Sequence, residues 1–130
     1  MSSSDMTVTA GTRAPARRRI LVVDDDLRSR DAVAGILAEE GYDAAVAADG
    51  EEASGLLSSW CPDLVVTDLE MPRLDGRGLL QRVRLLRPGT PVILLSAHDE
   101  IRAGTEIAGF FSKPVEIESL LARIRDLVGR

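Results

Sequence analysis

The chain has 130 residues, enough for one domain with a single hydrophobic core. Its formal net charge is −5 at pH 7, which argues against direct nucleic-acid binding, and its single cysteine excludes an intramolecular disulfide. No apolar run approaches the roughly 20 residues that span a bilayer, so we expect a cytoplasmic protein without membrane contact.

The chain begins with a segment, residues 1–17, that is mostly small and polar and shows no periodicity, so we expect a disordered tail there. The remainder, residues 18–130, is expected to form the folded domain. In chain order, the apolar pattern predicts a strand at 20–23, a helix over 27–37, a strand at 42–46, a helix over 53–60, a strand at 64–66, a helix over 79–86, strands at 92–95 and 110–111, and a helix over 117–128.

The predicted strands are mostly apolar on both faces and alternate with helices, which indicates a parallel sheet between two helical layers. Right-handed crossovers then give a doubly wound α/β fold of five strands. Ligands of such folds bind beyond the carboxyl ends of the strands, so the residues that follow each strand are the candidate site.

Polar residues follow four of the strands: Asp24, Asp25 and Asp26 after the first, Asp68 after the third, Ser96 after the fourth and Lys113, the only lysine, after the fifth. Two carboxylates 4 Å apart repel by about 4 kcal/mol at an effective dielectric constant of about 20, so this cluster calls for a compensating cation. Mg²⁺ prefers such oxygen ligands, and a lysine is well suited to a phosphate oxygen. The set fits phosphoryl transfer onto a carboxylate.

Four segments together resemble those of bacterial two-component response-regulator receiver domains of the chemotaxis-regulator type. They are residues 20–26 (ILVVDDD), 63–76 (DLVVTDLEMPRLDG), 92–97 (VILLSA) and 110–114 (FFSKP). The resemblance runs from about residue 18 to the end, with the motifs in the family's order. It implies a flavodoxin-like sheet with strand order 2-1-3-4-5.

The resemblance implies that the chain is a phosphoryl-accepting signalling switch. Asp68 would take the phosphoryl group from a histidine kinase, a phosphotransfer protein or a small phosphodonor, with Mg²⁺ as cofactor. Asp25, Asp68 and the backbone carbonyl of Glu70 would bind the metal, and Asp24 would do so through water. Such a chain would be a regulator that catalyses only its own phosphotransfer and dephosphorylation.

The resemblance also implies roles around the phosphoryl group. Lys113 would pair with it, and Ser96 would hydrogen-bond it after transfer, which lets the switch aromatic, Phe110, turn inward. Glu70 and His98 occupy variable positions that would tune the rates at which phosphate arrives and leaves. The peptide bond between Lys113 and Pro114 would be cis.

The segment between Ser96 and Lys113 is shorter than in the family pattern, because Lys113 follows Ser96 by only 17 positions. After the last strand and its connections, one or two helical turns remain, around residues 100–107. We therefore expect the family's fourth helix to be stunted or missing, which would alter the usual output surface.

Two alternatives remain open from the residues. One is a receiver-like protein-interaction module that works without phosphorylation. The other is a haloacid-dehalogenase-type phosphatase, whose first three motifs Asp24-x-Asp26, Ser96 and Lys113 resemble, although no further acidic pair on a strand follows the lysine. The sequence also leaves open the downstream partner and whether the chain forms a homodimer.

Overall fold

The computed structural model describes residues 17–71, 73–97 and 107–129. Five parallel strands form one sheet in the order β2-β1-β3-β4-β5. The strands are β1 (Arg19–Val23), β2 (Asp43–Ala47), β3 (Leu64–Asp68), β4 (Val92–Ser96) and β5 (Gly109–Ser112). The helices are α1 (Leu27–Glu39), α2 (Gly50–Ser59), α3 (Gly76–Leu86) and α4 (Ile117–Val128). The predicted α/β class, doubly wound fold and strand order are confirmed.

The sheet separates two hydrophobic cores, because successive strand residues point to opposite faces. Leu21 and Val23 of β1 belong to the core that contains Leu57 of α2 and residues of α3. Ile20 and Val22 belong to the other core, with residues of α1 and α4. Burial on both faces explains why the strands read as continuous apolar runs rather than alternating ones.

The ends of two predicted helical stripes are not buried. Leu27, the first residue of α1, is 58% exposed, and Leu86, the last residue of α3, is 51% exposed. The central residues of the stripes, such as Leu37 and Val83, are buried against the sheet. The apolar spacing therefore predicts the helices correctly, but the apolar residues at these two helix ends lie beyond the area that the sheet covers.

Two expectations fall partly or wholly outside the described residues. The fourth helix was expected to be stunted or missing around residues 100–107, of which only residue 107 is described, and residues 1–16 of the expected tail (1–17) lie outside the described ranges. Within the described ranges, no helix occurs between Ser96 and Gly109. None of the helices in these ranges has the length and apolar character required to cross a membrane.

Candidate functional site

The predicted site residues lie at the carboxyl edge of the sheet, where backbone hydrogen bonds fix their positions. Asp24 follows β1, and its N–H donates to the Ala47 carbonyl at 3.1 Å. Asp68 ends β3, where it pairs in register with Leu95 of β4. Lys113 follows β5, and its N–H donates to the Ser96 carbonyl at 2.8 Å. Parallel strands thus bring residues that are far apart in sequence to one place.

Three aspartates form an acidic cluster at this edge. One carboxylate oxygen from each of Asp24, Asp25 and Asp68 lies within 4.8 Å of the others. Asp24 and Asp68 are 3% and 5% exposed, whereas Asp25 is exposed. Charges this close and this poorly solvated need a counter-charge.

Lys113 supplies one positive charge to this cluster. Its Nζ lies 3.2 Å from Asp68 Oδ2 and 3.4 Å from Asp24 Oδ2. The peptide bond between Lys113 and Pro114 is cis, as the resemblance implied. One ammonium cannot neutralise three carboxylates, so the cluster keeps a net negative charge.

The electrostatics of the site act most strongly on Asp68. Burial raises the pKa of Asp68 to about 6, the Lys113 ammonium opposes this, and the charges of Asp24 and Glu70 add to it. Burial by itself lowers the pKa of Lys113, but its attraction to Asp68 and Asp24 outweighs burial and leaves that pKa above its ordinary value. In the metal-free protein, Asp68 therefore ionises close to neutral pH, while Lys113 stays charged.

Ser96 connects to this edge through a contact that the sequence did not predict. Ser96, the last residue of β4, is fully buried, and its hydroxyl donates to Glu70 Oε2 at 2.9 Å. Glu70 lies two residues beyond Asp68 in the loop after β3, and its side chain is otherwise exposed. Ser96, expected to hydrogen-bond the phosphoryl group, thus contacts Glu70, expected to tune the rates, directly. His98 lies outside the described residues.

The free oxygens of the cluster fit a divalent cation. Asp68 Oδ1 is buried and has no hydrogen-bond partner among the described residues. Asp24 is already engaged, because Oδ1 accepts from the Asp26 N–H at 2.9 Å and Oδ2 from Lys113. Such an orphaned buried oxygen is costly unless a ligand satisfies it, and Mg²⁺ commonly uses one or two carboxylates and water.

A family comparison identifies this arrangement. The family model of the response regulator receiver domain matches residues 20–125, which contain all the strands except the first residue of β1 and nine of the twelve residues of α4. The chain belongs to the response regulator receiver domain family. A receiver domain is the phosphoacceptor switch of a two-component system, so this comparison supports the expected function over the phosphatase and the non-phosphorylated module.

Individual relatives agree with this assignment. The receiver domain is 40% identical over 117 residues to response regulator MprA of Mycolicibacterium vanbaalenii, covering 86% of this chain and 51% of that protein. It spans about half the length of the curated relatives that it matches. Among solved structures, the Francisella response regulator 1452 receiver domain is 35% identical with a TM-score of 0.76, covering 85% of this chain and 96% of that one. Vibrio cholerae chemotaxis protein CheY4 is 27% identical with a TM-score of 0.80, covering 87% and 100%.

The expected switch aromatic of the receiver domain lies on the neighbouring strand. Phe110 of β5 pairs in register with Leu94 of β4, two residues before Ser96. Its ring is half-buried and packs against the core on the α2 and α3 side of the sheet. Phe110 has no hydroxyl, so a turn of its ring would change only its packing and burial.

Sequence reasoning missed the contacts that hold the loop after Asp68. Asp49, the N-cap of α2, is buried, accepts from the Glu52 N–H at 2.9 Å and forms an ion pair with Arg73 of that loop. Gly50 approaches the same loop so closely that an added Cβ would lie 2.3 Å from the Leu74 carbonyl oxygen. The Asp49-x-x-Glu52 spacing before an apolar run is a helix-start signal that could have indicated this cap.

Proposed function

We propose that Asp68 is the residue of this receiver domain that accepts the phosphoryl group. The observation that carries the proposal is the position of its buried carboxylate at the end of β3, between two aspartates and the lysine. This places a nucleophilic oxygen where charge on an incoming phosphoryl group can be compensated. Asp24 and Lys113 also line a cavity of about 470 Å³ at this edge.

The cofactor proposed here is Mg²⁺, with Asp25, Asp68 and the Glu70 backbone carbonyl as its ligands and Asp24 acting through water. Asp68 Oδ1 has no hydrogen-bond partner among the described residues, which supports direct binding by Asp68. Both carboxylate oxygens of Asp24 already accept hydrogen bonds, which supports binding through water. When bound, the metal would neutralise the excess negative charge of the cluster and of the phosphoryl oxygens.

The chain's own residues carry out the transfer. An ionised Asp68 oxygen attacks phosphorus, and a new O–P bond forms while the bond to the donor atom breaks. With a phosphohistidine donor, the electron pair stays on the imidazole nitrogen, which takes up a proton from solvent. The Lys113 ammonium, 3.2 Å from Asp68 Oδ2, is positioned to pair with a phosphoryl oxygen.

After transfer, the Ser96 hydroxyl donates to the phosphoryl group and Phe110 turns inward, which changes the surface around β4 and β5. Glu70 and His98 tune the rates of phosphorylation and dephosphorylation. The proposed partners are a histidine kinase or a phosphotransfer protein on the input side and a downstream protein on the output side. The domain acts as a cytoplasmic regulator that catalyses only its own phosphotransfer and dephosphorylation.

Intact-mass spectrometry with acetyl phosphate tests the proposal. Wild-type protein with Mg²⁺ should gain the mass of one phosphoryl group, and chelation of the metal should prevent the gain. Asp68→Asn keeps the side-chain shape and should show no gain. Equal spectra for wild type and Asp68→Asn would refute Asp68 as the acceptor, and a lack of mass gain in both would leave a binding module as the remaining function.

A further inference from the structure

The hydroxyl of Ser96 has one proton and can donate it to one strong acceptor at a time. In this structure the acceptor is Glu70 Oε2 at 2.9 Å. A hydrogen bond to a carboxylate is shorter and stronger than one to a neutral acceptor. Donation by Ser96 to a phosphoryl group on Asp68 therefore requires that the bond to Glu70 break first.

We infer that the Glu70 carboxylate is a latch that holds the Ser96 hydroxyl in its resting position and so opposes the switch. The inference rests on the proposed function, since it concerns how Ser96 is released when Asp68 is modified. It adds a positioning role for the Glu70 side chain that is separate from metal binding by the Glu70 backbone carbonyl.

The surroundings of the pair favour a latch over a fortuitous surface contact. Ser96 is fully buried at the end of β4, and its strand partner Ser112 and the Lys113 N–H hold its backbone in place. Only rotation of the side chain can move the hydroxyl between acceptors. Glu70, by contrast, lies on an exposed loop and can swing into water when the bond breaks.

Glu70 also bears a negative charge beside the site, and this second effect must be separated from the latch. The charge disfavours an anionic group at Asp68 whether or not Ser96 has a hydroxyl. The latch acts only through that hydroxyl. A double-mutant cycle between Glu70 and Ser96 therefore distinguishes the two effects.

The experiment measures the affinity of beryllofluoride, a phosphoryl mimic, in saturating Mg²⁺ for wild type, Glu70→Ala, Ser96→Ala and the double variant. Glu70→Ala should increase the affinity for beryllofluoride in both backgrounds. Because the latch is lost only where Ser96 is present, the increase should be about threefold to tenfold larger in the Ser96 background than in the Ser96→Ala background. Glu70→Gln, which retains an acceptor without charge, should show an intermediate coupling to Ser96. Circular dichroism checks that each variant is folded.

Two results would overturn the latch. One is an equal effect of Glu70→Ala in both backgrounds, which would leave only charge repulsion. The other is a smaller gain in affinity from Glu70→Ala in the Ser96 background than in the Ser96→Ala background, which would mean that Glu70 helps Ser96 reach the mimic. Failure of the proposed function would appear differently, as the same response of wild type and Asp68→Asn to beryllofluoride.

Discussion

Replacing Asp68 with asparagine removes a buried carboxylate that the metal-free fold disfavours. Burial raises the pKa of Asp68 from 3.8 to about 6, so the folded protein holds the proton more tightly than the unfolded chain does. Stability therefore falls as pH rises from about 4 to about 6 and is constant above that range as far as this group is concerned. The ion pair with Lys113 is already included in this balance.

The size of the effect follows from the two pKa values. A difference of about two, at 1.36 kcal/mol for each pH unit, gives about 3 kcal/mol by which ionised Asp68 destabilises the fold at pH 7.5. Asparagine has the same shape and no charge, so Asp68→Asn should be more stable than wild type by about 2–3 kcal/mol at pH 7.5. Near pH 4 the two proteins should differ little.

Urea unfolding monitored by circular dichroism in EDTA, at intervals from pH 4 to 7.5, measures this difference. Asp43→Asn, at an exposed position at the start of β2, controls for the change in net charge. Mg²⁺ should stabilise wild type at pH 7.5 more than Asp68→Asn, because a ligand that binds only the folded state adds to its stability. A variant that is less stable than wild type at pH 7.5, or a difference that does not change with pH, would refute the reasoning.

Three further changes have definite expected outcomes. Gly76→Ala should cost about 1–3 kcal/mol in urea unfolding, because the new Cβ would lie 2.6 Å from the Asp68 carbonyl oxygen. Lys113→Ala should raise the pKa of Asp68 above about 6 in the metal-free protein, since the opposing ammonium is lost, as NMR titration of the Asp68 carboxyl carbon would show. Asp49→Ala should lower the free energy of unfolding by about 1–2 kcal/mol through loss of the α2 N-cap.

Two matched variants test the causes given for the losses at Gly76 and Asp49. Gly55 lies exposed within α2 with nothing within 4 Å of an added Cβ, so Gly55→Ala should instead stabilise by about 0.5–1 kcal/mol. A loss at Gly55 similar to that at Gly76 would contradict the steric argument. Arg73→Ala removes only the ion pair with Asp49 from an exposed side chain, so it should cost less than Asp49→Ala.

The sheet and the acidic cluster could be predicted because apolar runs stop abruptly at charged residues. The run before Asp24 and the run before Asp68 are strands buried on both faces, and parallel strands place their carboxyl ends together. The single lysine stood out for its rarity. Each of these residues can be recognised from its neighbours in the sequence, and the parallel sheet then brings them together at one edge.

The contacts around the loop after Asp68 could not be predicted in this way. Glu70 and Ser96 are 26 residues apart, and Asp49 and Arg73 are 24 apart. Whether they meet depends on the path of an irregular loop, which hydrophobic periodicity does not specify. That the family's fourth helix is stunted or missing remains a prediction, because all but the last of residues 100–107 lie outside the described ranges.

The chemical identity of the modified residue tests the account most directly. Protein treated with acetyl phosphate and Mg²⁺ can be reduced with borohydride, which converts an aspartyl phosphate to homoserine, and then mapped by peptide mass spectrometry. We predict homoserine at position 68 and at no other aspartate, with none in EDTA. Homoserine at Asp24 or Asp25, or an unmodified peptide around position 68 in a fully folded protein, would contradict it.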